Sequence, residues 1–269
     1  MSQVKQCCES LIRTGFGRLE LPSEALLDLN QLLDGFYKVE QTTKQSYSFV
    51  QDTDGFLPFG SEYALIETHP DLCERFCYWP ARRAQRQEHP FSQSAFVDAA
   101  ERYAAVLSQL AEQVLAALCD EFDAAPLPST RAASYLQLCA YGELRPDNTR
   151  RFAQDPHEDG HLLSFIKPNQ EGLVLVKGRD LEPARLLKNE VAILAGSLLT
   201  KLSDNAIPAA YHAVLMPEKP TRRSSLVYFV NPAEDQPYNG LVRQRPVTLR
   251  EEMLARHTGF GNHALQLVS

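Results

Sequence analysis

The chain has 269 residues, enough for one large domain or two small ones. Hydrophobic residues make up 44% and charged residues 23%, an ordinary globular balance. The net charge is -7 with no Lys/Arg-rich block, which argues against general nucleic-acid binding. No apolar run approaches the roughly 18 residues needed to span a bilayer. The first eight residues lack an apolar signal-like core, so the cytoplasm is the expected location. None of the six cysteines sits in a CxxC pair, and Cys73 and Cys77 have no second pair to complete a zinc site. Reduced, buried thiols are expected.

In chain order, a short helix within residues 1–20 is followed by an alternating, strand-like piece over residues 15–21. Pro22-Ser23-Glu24 starts a helix whose stripe of Leu26, Leu29, Leu32, Leu33 and Phe36 runs to about residue 38. Residues 40–60 are polar, with Gly55, Pro58 and Gly60, and read as loop. After the aromatic run Phe76-Cys77-Tyr78-Trp79, a basic loop carries Arg82, Arg83 and Arg86, either solvated or placed to meet an acidic substrate group. Residues 96–122 form the clearest helix: Val97, Ala100, Tyr103, Leu107, Leu110, Val114 and Leu118 recur at i, i+3, i+4 spacing until Pro126 and Pro128. Beyond residue 130, short apolar runs at 135–141, 162–166, 173–176, 191–194, 213–216 and 226–230 alternate with turns at 147–148, 169–172, 177–180 and 203–205. This spacing predicts a β-sandwich or jelly roll. The expected organisation is a helix-rich region, 1–130, packed on a mainly β core, 131–269, as one structural unit.

The chemistry concentrates in residues 154–166, where two imidazoles and three carboxylates precede an apolar run. On a strand, His157 and Asp159 would share a side and offer two metal ligands. The best third ligand is His212, in Ala210-Tyr211-His212-Ala213-Val214. Two His and one carboxylate on one face of an octahedron leave three positions open, suited to O2 and a bidentate ligand on Fe(II). Eleven residues further (223 minus 212), Arg223 and Ser225 share one side of an otherwise apolar strand and offer a guanidinium fork and a hydroxyl to a carboxylate. A rival motif overlaps: residues 157–161 also spell His-Glu-x-x-His. Zinc-protease chemistry needs that pattern on a helix. Gly160 and the strand-like run after it argue against this, leaving His161 as a neighbour of the site or a pocket residue. His69, His89, His257 and His263 have no partner pattern and read as surface or loop residues.

His157-x-Asp159, His212 at a separation of 53 (212 minus 159) and Arg223-x-Ser225, in this order, resemble the signature of the isopenicillin N synthase-like group of Fe(II)/2-oxoglutarate oxygenases. The likeness extends to residues 172–176, 191–199, 202–205 and 223–231, and more weakly to Gly15-Phe16 and residues 74–78. It implies a double-stranded β-helix (jelly roll) core over about residues 130–235, N-terminal helices bracing one side, and a C-terminal helix near residues 248–257. By the same resemblance, His157, Asp159 and His212 would bind Fe(II). Arg223, Ser225 and Tyr141 would hold the distal carboxylate of 2-oxoglutarate. O2 and a small molecule, an amino acid or biosynthetic intermediate, would be the other substrates. Arg82, Arg83, Arg86 and His161 are candidate substrate contacts. Asp159 argues for hydroxylation, desaturation or ring closure rather than halogenation, which resembles this pattern without the carboxylate. Two positions depart from the group: Cys139 stands where many relatives have Asn, and Ser197 where many have Asp. Two alternatives remain: an oxidase of the isopenicillin N synthase kind that uses no 2-oxoglutarate, and a non-catalytic jelly-roll binding protein.

Overall fold

Two antiparallel sheets face each other, and helices cover the outside of the larger one. The structure, a computed structural model, describes residues 2–64, 66–147, 149–233 and 236–262. His263 and Asn148 of the expected 147–148 turn therefore lie outside the described residues. In chain order the elements are α1 (Gln3–Thr14), β1 (Phe16–Glu20), α2 (Ser23–Phe36), α3 (Gln41–Ser46), β2 (Ser48–Phe49), β3 (Asp54–Leu57), β4 (Glu74–Tyr78) and α4 (Ala95–Glu121). Next come β5 (Tyr135–Leu144), β6 (Phe152–His157), β7 (Leu163–Pro168), β8 (Leu173–Lys177), β9 (Asp180–Pro183), β10 (Glu190–Ala195) and α5 (Ser197–Leu202). The chain continues through β11 (His212–Leu215), β12 (Thr221–Val230), a small β13 (Tyr238–Asn239) and β14 (Pro246–Val247) hairpin, and α6 (Arg250–Gly259). The eight-stranded sheet has the order β1-β10-β7-β12-β5-β4-β3-β2, and the four-stranded sheet the order β6-β11-β8-β9.

The period-two alternation of a strand sorts the core into two layers. On β5, Leu136, Leu138 and Ala140 face the helices, while Tyr135, Cys139 and Tyr141 face the second sheet. On β12, Leu226, Tyr228 and Val230 face the helices, while Val227 and Phe229 face inward. Both faces of these central strands are covered, so they read as near-continuous apolar runs. The helical stripes fill the outer layer: Leu11 of α1, Leu32 and Phe36 of α2, and Tyr103, Leu107 and Leu118 of α4 are buried there. Each such side chain contributes about 1.5–3 kcal/mol. The Ser94 hydroxyl starts α4 by accepting from Val97 N at 3.3 Å, a side-chain cap on an otherwise orphaned N–H.

Residues 40–60 are not all loop. They hold α3, β2 and the fully buried strand β3, which joins the large sheet beside β4. Local polarity hides β3 because its Asp54 is paired with Arg86 rather than exposed (2.8 Å). The basic stretch 80–86 is a 3-10 helix rather than a loop. All six cysteines are buried and free. Among the described residues, no helix is long and apolar enough to cross a membrane.

Candidate functional site

β6 ends at His157 and β11 begins at His212, and these two residues are register partners across the small sheet. Antiparallel pairing thus brings together imidazoles 55 residues apart (212 minus 157), their ring centroids 4.3 Å from each other. Asp159 reaches them differently from the shared strand face expected of it. It lies two residues past the end of β6, in an irregular segment held by backbone bonds from the start of α5. Ser197 N donates to Asp159 O (2.9 Å), Leu198 N to His161 O (3.2 Å) and Gly196 N to Leu162 O (3.1 Å). Gly196 is needed for this approach. A Cβ there would lie 2.6 Å from Asp159 O and closer still to His161 O. Asp159 then stands between the imidazoles: Oδ1 is 3.5 Å from His157 Nε2, and Oδ2 is 3.8 Å from His212 Nε2. One ligand atom from each residue lies within 4.8 Å of the others, close enough to hold a metal ion.

Both rings are oriented for that task. His157 Nδ1 is 2.8 Å from Asp155 O and His212 Nδ1 is 3.2 Å from Ala210 O. A carbonyl only accepts, so each Nδ1 carries the proton and each Nε2 presents its lone pair inward when the ring is neutral. Burial alone would raise the Asp159 carboxyl. The charges of His212 and His157 and the His157 hydrogen bond overcome it and hold the group well below the usual carboxylate range. Burial works against protonated His157, but the hydrogen bond and charge of Asp159 lift it to about 9. His212 is pushed down to about 4, first by burial, with the neighbouring His157 charge adding to it. Asp159 Oδ2 is buried without a hydrogen-bond partner. Once His157 gives up its proton, two imidazole nitrogens and one anionic oxygen in a buried, one-sided set suit Fe(II) with open positions.

The same cavity is lined by Arg223, Ser225 and Tyr141 and walled by Ile166, Leu173, Val214 and Val227. Arg223 is 2% exposed. Its Nε donates to Glu171 O (3.2 Å), while Nη1 and Nη2 have no hydrogen-bond partner. A buried guanidinium with two free N–H-bearing arms is costly unless an anion joins it. Its position beside Ser225 on β12 suits a carboxylate. The Arg223 guanidinium carbon also lies 4.8 Å from the Tyr141 ring centroid. The residues present therefore fit a chelated metal and an acidic cosubstrate.

Other expected contacts fall elsewhere. Arg86 pairs with Asp52 (2.5 Å) and Asp54 (2.8 Å), and Arg83 with Asp98 (2.8 Å) and Glu101 (3.0 Å). Arg82 is buried over Trp79 and donates to Asp52 O. None of the three lines the cavity; Arg83 and Arg86 are paired with carboxylates instead. His161 does not point at the metal cluster. Its Nδ1 meets Asn231 Oδ1 at 2.6 Å and its ring packs 4.2 Å from Phe229, behind the cavity wall. With residues 158–162 non-helical, the His-Glu-x-x-His reading falls. His257 is also buried, against Thr53, rather than a surface residue. Sequence reasoning missed the polar cluster of Glu62, Asp71, Arg75 and Gln154. Its one signal was Arg75 at an inward position of an apolar strand.

Residues 133–232 match the 2OG-Fe(II) oxygenase superfamily. The chain carries a 2OG-Fe(II) oxygenase domain. It is an Fe(II)/2-oxoglutarate-dependent oxygenase, with Fe(II) as its metal and 2-oxoglutarate as its cosubstrate. No curated protein matches the chain. Among solved structures, a full-length Neurospora crassa protein in complex with alpha-KG has a TM-score of 0.77 at 17% identity, over 95% of this chain and 90% of that one. A putative 2OG-Fe(II) oxygenase family protein from Caulobacter crescentus has a TM-score of 0.73 at 21% identity, over 95% and 93%. A putative oxygenase from Shewanella oneidensis has a TM-score of 0.70 at 24% identity, over 95% and 94%. These likenesses establish the fold, a double-stranded β-helix with flanking helices.

Proposed function

We propose that this oxygenase oxidises a small-molecule substrate by hydroxylation, desaturation or ring closure, within the isopenicillin N synthase-like group. His157, Asp159 and His212 hold Fe(II), and Arg223 with Ser225 holds the distal carboxylate of 2-oxoglutarate. The observation that carries the reading is one cavity containing both a three-ligand cluster and a buried guanidinium with two unpartnered arms. Bound there, Fe(II) and 2-oxoglutarate supply oxidation by O2 with release of succinate and CO2. The chain's own part is orientation and exclusion of water. Asp155 O and Ala210 O keep the imidazole tautomers, the α5 N–H groups keep Asp159 in place, and Ile166, Leu173, Val214 and Val227 keep the cavity dry. The Neurospora crassa protein is also found in complex with thymine, and another neighbour, JOX2, with 2OG, Fe and JA. A small organic substrate is in keeping with both.

The test is anaerobic reconstitution with Fe(II), with visible spectra before and after 2-oxoglutarate. A metal-to-ligand charge-transfer band is expected, absent in His212→Ala and weakened in Arg223→Ala. Fe(II) binding without a band would favour an oxidase whose Arg223 anchors the substrate's own carboxylate. No Fe(II) binding would sink the ligand assignment.

A further inference from the structure

Two glutamine amides line the cavity, and they differ in what they already hold. Gln154 is engaged at both ends: its Oε1 accepts from the Tyr141 hydroxyl at 3.1 Å, and its Nε2 donates to Asp71 Oδ2 at 2.9 Å. Among the described residues, Gln137 meets only sulfur. Its Oε1 accepts from Cys77 Sγ and its Nε2 donates to Cys139 Sγ, both at 3.5 Å. A thiol is a weak donor and a weak acceptor, and an amide offers two N–H groups and two lone pairs. Gln137 is nevertheless 3% exposed, between Tyr135 and Cys139 on the inward face of β5. Burying an amide there is unfavourable unless a better partner completes it.

Gln137 also stands away from the carboxylate end. Register pairs it with Cys77 of β4 and with Val227 of β12, four residues along from Arg223 (227 minus 223). The next inward residue of β12, Phe229, lines the cavity too. Its ring is fixed by His161 at 4.2 Å and Tyr135 at 5.0 Å, and Trp79 stacks on Tyr135 at 4.2 Å. Among the described residues lining the cavity, the acidic and basic ones are His157, Asp159, His212 and Arg223. The metal and cosubstrate occupy all four on the reading above. What remains is a fixed aromatic ring and a neutral amide with a donor beside an acceptor.

We propose that Gln137 is a specificity-determining residue whose amide pairs with a neutral substrate carrying an N–H beside a C=O, a lactam or carboxamide edge, with Phe229 against its apolar part. This names the substrate class of the oxygenase and rests on the assignment of the Arg223 end to 2-oxoglutarate. The substrate N–H meets Gln137 Oε1 and the substrate C=O meets Nε2. A charged group would find no counter-charge there. A site built on such bonds rejects an analogue lacking them, because its own buried groups would stay unpaired.

The test uses protein loaded with Zn(II), which is diamagnetic and has no redox chemistry, and labelled with nitrogen-15. The Gln137 side-chain amide signals are assigned with Gln137→Glu, which keeps the side chain's shape. 2-Piperidone, a lactam, and cyclohexanone, a ring of the same size with an acceptor only, are titrated in turn. The lactam should shift the Gln137 signals and bind at least about tenfold tighter than the ketone. In Gln137→Met, followed through backbone signals around the cavity, that ratio should vanish. General disturbance of the fold would weaken both probes alike and keep the ratio. Equal affinity for the two probes in the unaltered protein, including no binding of either, overturns the proposal, as does a ratio that survives Gln137→Met. Adding 2-oxoglutarate should leave the lactam's affinity within about threefold; competition would put the lactam at the Arg223 end and overturn the proposal. If 2-oxoglutarate does not bind, the cosubstrate reading fails, and the lactam-to-ketone ratio still decides the role of Gln137.

Discussion

His157 carries the residue-scale consequence most open to measurement. Lifted to about 9 by Asp159 against the opposing effect of burial, it holds a proton at neutral pH when no metal is bound. His212, pushed down to about 4, holds none there, and Asp159 is ionised. A metal must therefore displace one proton, from His157. The sign follows: affinity rises with pH up to about 9, by roughly tenfold per unit below it, and levels off above. Calorimetry with Mn(II) at pH 7, in buffers of different ionisation enthalpy, should give release of close to one proton. Arg223 gives a second expectation. Its Nη1 and Nη2 have no partner within the protein, so truncation removes a buried cation that the protein's own groups do not satisfy. Arg223→Ala should weaken 2-oxoglutarate binding by about tenfold or more while leaving Mn(II) affinity within about threefold, because on the proposed reading the guanidinium holds the carboxylate and not the metal. An equal loss of both would mean that the substitution has disturbed the ligand cluster itself.

At the scale of elements, the site depends on how a strand end, a strand start and a helix start meet. β6 and β11 supply the two histidines by register, and the first turn of α5 supplies the N–H groups that seat Asp159. Gly196 lies where these meet, and its φ of -92° shows that space, not backbone freedom, is the constraint. Gly196→Ala should push the Asp159 segment outward, with a stability loss of about 1–3 kcal/mol from overpacking and a larger fall in metal affinity. Thermal melts and Mn(II) titration of the variant would check this, and unchanged metal affinity would show that the α5 contact does not position Asp159. α6 and the residue after it close the other side: Phe260 packs edge-on to His157 at 5.8 Å, and Arg256 pairs with Glu158 at 3.0 Å. These residues shield the ligand cluster without entering it.

Over the whole molecule, a metal that binds only the folded chain must stabilise it. At a free concentration a hundredfold above its dissociation constant the gain is about 2.7 kcal/mol, or roughly 5–10 °C in Tm for a domain of this size. Melting curves with and without Mn(II), and after chelation, should show a shift that His212→Ala abolishes. The helix-facing layer was readable from the start, because a stripe at i, i+3, i+4 in α4 and alternation in β5 and β12 are local properties of the chain. The candidate ligands His157, Asp159 and His212 were equally visible as residue types in order, and the fold brings them within 4.8 Å of one another. What the linear chain did not reveal was contact between distant segments. β3 hid within a polar stretch because its charge is neutralised by Arg86, and Arg83 and Arg86 resembled substrate contacts because their carboxylate partners lie elsewhere in the sequence, as does the Asp52 carbonyl that Arg82 meets. Asp71, Arg75 and Gln154 come together only when β4 pairs with β5 and residue 71 folds back over β6. Pattern and residue type thus sufficed for the layers and the class of chemistry. The direction of each proton in the site was decided by tertiary structure, because a hydrogen bond's donor is known only once every partner in its chain is in place.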